Sequence, residues 1–332
     1  MNPREFRQLQ QKRAREAAPP PSSLRTAIAI PAPPRPPPPR AAPSGPRTAQ
    51  EATRLVIRNV RGDGIGDCVL LTPLVSALHQ LFPEKEIEVV GPWLALQVLA
   101  RWPLVSRATV VDYFDEGRAK AEGAWILDCR TYDSGPHMAY NHLGLARGLG
   151  YEGPMPPFHI DIEPVQLPFR RDGPVALLLD CADSGPWQRK RWPRFSELAK
   201  ALLKEGWRVC LCGGPAEAQR FNRADWPAEV IDLQGRYSLP QFAYLAPCSD
   251  VVVANDTGPA HVAAVAGARL LSLFGPTSPA VWRPLGDRVR VVTSQLPCSP
   301  CCLRGSWTSC QPGNACMQAI SVAQVMEEIY LG

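Results

Sequence analysis

A carboxylate, a hydroxyl, a glycine and a proline follow one another at Asp256-Thr257-Gly258-Pro259. Before them Val251 to Ala254 is a short apolar run, and after them Leu270 to Phe274 is another, broken only by Ser272; both read as buried parallel strands. Between the runs Ala260, Val262, Ala263, Val265 and Ala266 make a helix of small residues. The turn therefore lies where a strand ends and a helix begins. Thr257 or Gly258 can cap that helix and Pro259 suits its first position. The unpaired N–H groups and the helix dipole there favour a negatively charged ligand.

A second acidic position stands near the start of the ordered chain, in Gly62-Asp63-Gly64-Ile65-Gly66-Asp67. A dinucleotide fingerprint requires a third glycine where Asp67 stands, and a carboxylate there repels a pyrophosphate. A nicotinamide cofactor is not expected in this half, and no Walker A sequence occurs. Two readings of Asp67 stay open, a helix cap or a general base that takes a proton from an attacking hydroxyl. Lys190 falls in QRKR, a run that in isolation reads as a solvated face, and Glu217 follows a glycine turn in CLCGGPAE, where it could accept ribose hydroxyls. Tyr237 and Leu239 suit either an adenine pocket or the core. Cys298 and Cys301, with Cys302, Cys310 and Cys316 behind them, have the spacing of zinc or iron ligands or of a reduced thiol cluster.

Repeated strand-then-helix units must position these groups. Arg54 to Asn59 reads as a strand, Val69 to Phe82 as a helix stopped by Pro83, Ile87 to Gly91 as a strand and Trp93 to Arg101 as a helix. Strands near Thr109 to Val111 and Ala124 to Leu127 and a helix within 139–149 follow. Pro154, Pro156, Pro157, Pro164, Pro168 and Gly173 then break the pattern, with a modest strand expected at Phe158 to Ile162. It resumes at Val175 to Asp180, with a helix at Phe195 to Lys204, strands at Trp207 to Gly213 and Val230 to Leu233, and a helix at Leu239 to Ala246. The expected fold is α/β, two Rossmann-like, doubly wound parallel-sheet lobes facing a cleft, with ligands at the carboxyl ends of the strands. We divide the chain into a tail (1–50), a first lobe (51–165) and a second lobe (166–332), the last including a cysteine-rich loop at 297–316. The final helix, Ser321 to Leu331, is expected to pack back on the first lobe.

Charge separates the tail from the rest. Residues 1–50 hold nine Lys/Arg against two acids, +7 of a total of +5, so the remainder carries −2. The tail also holds 13 of the 37 prolines, a composition that cannot build a core. It is expected to be extended, with weak contact to anionic lipid as the functional alternative. No apolar run approaches the ~20 residues of a membrane span, and the expected location is cytoplasmic, at the inner face of the cytoplasmic membrane if the tail does bind lipid.

Four motifs in order carry a resemblance. GDGIGDCVLLTPLVSALHQLFPEKEIEVVG, KRWP at 190–193, NDTGPAHVAAVAGARLLSLFGPTSP and the late PCSPC resemble glycosyltransferase family 9, the ADP-heptose:lipopolysaccharide heptosyltransferases. The resemblance implies a GT-B fold and an inverting transfer of heptose from ADP-heptose to a lipid A-linked lipopolysaccharide-core acceptor, with no cofactor required. It implies Asp67 as the base, Lys190 near the donor phosphates, Asp256, Thr257 and Gly258 around the donor sugar and diphosphate, and His261 in support. Thr72, in the Thr72-Pro73 pair of the first motif, is expected on the substrate side. Metal at Cys298, Cys301, Cys310 and Cys316 stays open, and nucleic acid is not an expected partner. Two alternatives remain: transfer to a protein or another non-lipopolysaccharide acceptor, or a non-catalytic nucleotide-sugar-binding scaffold.

Overall fold

The computed structural model describes residues 48–58, 64–111, 124–129, 137–180, 185–303, 306–307 and 314–331. Residues 1–47 of the basic tail, and with them its expected lipid contact, lie outside the described residues. The first lobe is built from β1 (Arg54–Arg58), α1 (Ile65–Leu81), β2 (Glu86–Gly91), the short α2 (Trp93–Leu96), β3 (Arg107–Val110), β4 (Ala124–Asp128) and α3 (Met138–Arg147). Its sheet runs β3-β2-β1-β4, all parallel. Leu55, Ile57, Ile87, Val89 and Leu127 alternate onto the face covered by α1 and α3, as the period of two requires.

The second lobe follows with β5 (Val175–Leu179), α4 (Phe195–Lys204), β6 (Arg208–Cys212), α5 (Pro215–Arg220), β7 (Ile231–Asp232), α6 (Leu239–Leu245), β8 (Val251–Asn255), α7 (Gly258–Val265), β9 (Leu270–Phe274), α8 (Pro279–Trp282) and β10 (Val289–Thr293). The strand order is β10-β9-β8-β5-β6-β7, again parallel. The order reverses between β5 and β8, so a crevice opens at their carboxyl ends. Both strands are buried along their length, which explains why they are apolar up to the polar Asn255 that ends β8: each face of this sheet is covered.

α9 (Ala315–Ala319) and α10 (Val322–Leu331) close the chain. The expectation that the last helix returns to the first lobe is overturned. Val325 and Ile329 are buried in the core that α4 makes with the second sheet, and Tyr330 meets the Trp207 ring edge-on at 6.4 Å.

The expected strand at Phe158 to Ile162 does not form. The stretch is extended but pairs with no sheet; its polar backbone is satisfied singly, Asp161 N donating to Val98 O at 2.6 Å and His159 N to Thr72 Oγ1 at 3.0 Å. It works as a strap between the lobes. His159 stacks on Trp102 at 4.2 Å, while Glu163 pairs with Arg101 at 2.8 Å and accepts from Gln241 Nε2 of α6 at 2.9 Å. The helix expected over 93–101 is helical only to Leu96 and continues as turns.

The lobes meet along the first turns of α1 and α7. A methyl group placed on Gly258 would come within 2.6 Å of Ile65 Cβ, and one on Gly66 within 2.9 Å of the His261 ring. Two glycines therefore let two helix starts abut, where any side chain would hold them apart. Beside them Leu70, Met138 and Ala139 pack with Trp282 and Leu285, and His137 Nε2 donates to Arg283 O at 2.7 Å.

Candidate active site

Asp256 follows the last residue of β8, at the reversal of strand order, and its carboxylate is almost closed to solvent. Its Oδ2 accepts from Thr277 Oγ1 at 2.6 Å and lies 2.7 Å from Lys190 Nζ. The lysine is thus fixed in the crevice and is no part of a solvated face. A buried pair of this kind is costly unless its remaining capacity is filled, which Thr277 does in part.

A hydrogen-bonded frame behind the pair sets the position of Lys190, which ends a 3-10 turn at Gly185–Lys190. Asn255, fully buried at the end of β8, donates from Nδ2 to Asp180 Oδ1 at 2.9 Å and accepts at Oδ1 from Trp192 N at 2.9 Å. Asp180, one residue beyond β5, also accepts from Arg191 Nε at 2.9 Å. The Trp192 indole is buried and donates to Ile320 O at 2.8 Å. Asp180, Asn255 and Trp192 were not marked as site residues by the sequence. A signal was there: Asp180 ends VALLLD and Asn255 ends VVVAN, polar side chains at the ligand-facing ends of two buried strands.

The first lobe brings Asp67 to the seam. It sits half-buried in the first turn of α1, next to Gly66, which touches His261. Gly258 begins α7 and Thr257 is its N-cap residue, extended and without a side-chain cap bond, so the first N–H groups of the helix have no partner within it. His261 is buried on α7; desolvation pushes its pKa down to about 4, against the pull of the Asp256 charge, and holds the ring neutral. His137 is neutral for the same reason, with Nδ1 accepting from Ala139 N.

Two expected contacts are placed elsewhere. Thr72 is fully buried, and its hydroxyl is used twice inside the fold: it donates to Val69 O at 2.8 Å and accepts from His159 N. Pro73, inside α1, lacks the N–H that a helix would offer Val69 O, and the threonine hydroxyl supplies that donor. Thr72 is a structural residue facing away from any ligand. The Glu217 carboxylate turns back on its own helix, Oε2 accepting from Gly214 N at 2.9 Å, which is a capping role. Leu239 is in the core and Tyr237 is half-buried against it.

Cys298 is exposed, Cys301 half-buried and Cys316 buried, while Cys310 lies outside the described residues. A methyl group on Gly275 would fall 2.9 Å from Cys316 Sγ and 2.4 Å from Met317 Sδ, so Cys316 packs as a core residue behind the Gly275-Pro276-Thr277 turn. Among the described residues no group of three His, Cys, Asp or Glu side chains is arranged to hold a metal. The described cysteines alone do not fit a metal centre. Among the described residues no helix is long and apolar enough to cross a membrane.

Two parallel α/β lobes that meet at a charged crevice define a GT-B protein. The family model for glycosyltransferase family 9 (heptosyltransferase) matches residues 111–310, more than half of the chain, and the chain belongs to that family. It is 35% identical over 119 residues to lipopolysaccharide heptosyltransferase 2 of Salmonella typhimurium, a stretch covering 33% of this chain and 34% of the relative. The matched stretch thus spans about a third of the length of the curated relatives that rank first. Among solved structures, the family 9 glycosyltransferase of Veillonella parvula superposes with a TM-score of 0.65 at 19% identity, over 86% of this chain and 99% of the other. The iron-containing dodecameric glycosyltransferase TibC of enterotoxigenic E. coli superposes with a TM-score of 0.62 at 16% identity, over 84% of this chain and 76% of that one.

Proposed function

We propose that the protein transfers a heptose from ADP-heptose to a lipid-linked, lipopolysaccharide-core type acceptor with inversion at the anomeric carbon. The observation that carries the reading is the Lys190–Asp256 pair, held at the strand-order reversal of one lobe and faced by the Asp67 end of α1 from the other. The relatives named as lipopolysaccharide heptosyltransferases support the sugar and the acceptor class.

In this scheme the acceptor hydroxyl oxygen attacks the anomeric carbon from the face opposite the diphosphate. The sugar–phosphate bond breaks, ADP departs with the electron pair, and Asp67 takes the hydroxyl proton. Charge grows on the departing phosphate oxygen, where Lys190 and the N–H groups of the Thr257–Gly258 turn lower its energy. Asp256 keeps the ammonium in the crevice until the diphosphate competes for it, and neutral His261 fills the seam beneath. The basic tail would add weak contact with the anionic surface bearing the acceptor.

ADP release from ADP-heptose, followed with and without a lipid A-linked core acceptor, tests the reading. Acceptor-dependent release is expected. Failure to bind ADP at all would remove the donor assignment, and acceptor-independent hydrolysis would remove the transfer.

A further inference from the structure

The frame behind Lys190 contains a residue whose chemistry is not interchangeable. Asn255 is fully buried, and its amide is used at both ends, Nδ2 toward the Asp180 carboxylate and Oδ1 toward the Trp192 N–H. Only a group that donates on one side and accepts on the other satisfies both neighbours. These neighbours are the two anchors of the Lys190 turn. Asp180 also holds Arg191, the residue after Lys190, and Trp192 is the residue after that. The chain from Lys190 to Trp192 is therefore fastened to β5 and β8 through one buried amide, while Lys190 itself reaches Asp256, the residue after Asn255.

We infer that Asn255 and Asp180 are positioning residues that set the Lys190 ammonium at the donor diphosphate, so that their removal is felt as lost donor affinity through Lys190. The inference rests on the donor-site reading above. In Asn255→Asp, a carboxylate oxygen replaces the donor opposite Asp180, and two acceptors face each other in a buried space. The bond that ties Asp180 to β8 is lost, so the two anchors of the turn are no longer held at one spacing and the ammonium is set less closely. Exchanging the two residues, Asp180→Asn with Asn255→Asp, restores one donor to one acceptor: the amide now donates from position 180, and the carboxylate at 255 still accepts from Trp192 N.

Calorimetry with ADP, in the absence of acceptor, separates the outcomes. Asn255→Asp is expected to weaken ADP binding about tenfold or more, the scale of one lost charge-assisted contact. The exchanged double variant should recover a measurable part of that loss. The same substitution made in a Lys190→Ala background should cost little further, because the group being positioned is gone. A purely structural role predicts the opposite, an equal loss in both backgrounds. Should Asn255→Asp fail to fold, the less buried Asp180→Asn carries the same test with a smaller expected loss. Undiminished ADP affinity in either folded variant, or an equal loss with and without Lys190, overturns the inference. If Lys190→Ala alone leaves ADP binding unchanged, it is the donor-site reading that fails.

Discussion

In the proposed scheme Asp67 and Lys190 make separate demands on the same reaction, and single substitutions should separate them. Asp67→Ala removes the proton acceptor and is expected to lower turnover by about two to four orders of magnitude while ADP binding stays near normal. Near-normal turnover would dismiss it as the base. Lys190→Ala and Asp256→Ala should instead weaken ADP binding, read by calorimetry, since each breaks the 2.7 Å pair in the crevice. Thr72→Val leaves Val69 O short of a donor and His159 N short of an acceptor, both inside the fold. It should cost about 1–3 kcal/mol in urea unfolding and leave donor affinity alone. At this scale the sequence was legible wherever a residue's chemistry matched its place at a strand end or helix start, as at Asp256. It misled at Thr72 because a hydroxyl before a proline reads the same whether it awaits a ligand or repairs a helix. Glu217 is ambiguous for a kindred reason, an acid three residues into a helix suiting both a ribose acceptor and the cap it forms.

Elements were read well where periodicity was strong. β5, β8 and β9, each dominated by apolar residues, lie as expected, and the small-residue run after Asp256 is α7. The alternation of strand and helix also told of two parallel sheets, though not of their strand order. The strap at 158–162 has the alternation of a strand but pairs with no sheet, and tertiary contacts with Val98 and Thr72 took its backbone instead. The glycine-rich run at 62–67 concealed the first four residues of α1, since Ile65 to Cys68 read as a loop. That start carries the sharpest prediction at this scale. Gly66→Ala puts a methyl 2.9 Å from the His261 ring, which is boxed in and cannot swing away freely. The variant should keep its far-ultraviolet circular dichroism yet lose most transfer activity, because the two helix starts are wedged apart. Unchanged activity would mean that the seam tolerates separation.

Across the whole molecule three buried rings are neutral, two of them at the seam between the lobes and one, His142, inside the first lobe. His137, His142 and His261 are each pushed from 6.5 down to about 4, with burial the leading cause in every case. The unfolded chain takes up protons below about pH 6.5 that the fold refuses until about pH 4. The stability these sites give is therefore complete above about pH 6.5 and is lost as pH falls through that window. Urea midpoints measured from about pH 7.5 down to 4.5 should drop steadily, and His142→Asn should flatten the slope; a midpoint indifferent to pH would exclude this linkage.

The indole of Trp192 leans on Ile320 O, and the Gly275 turn is backed by Cys316 and Met317. Residues behind the crevice therefore buttress the wall on which the proposed donor would lean. A protease nick ahead of α9 should leave both sheets standing while ADP slips its hold, so the far end of the chain belongs, mechanically, to the pocket.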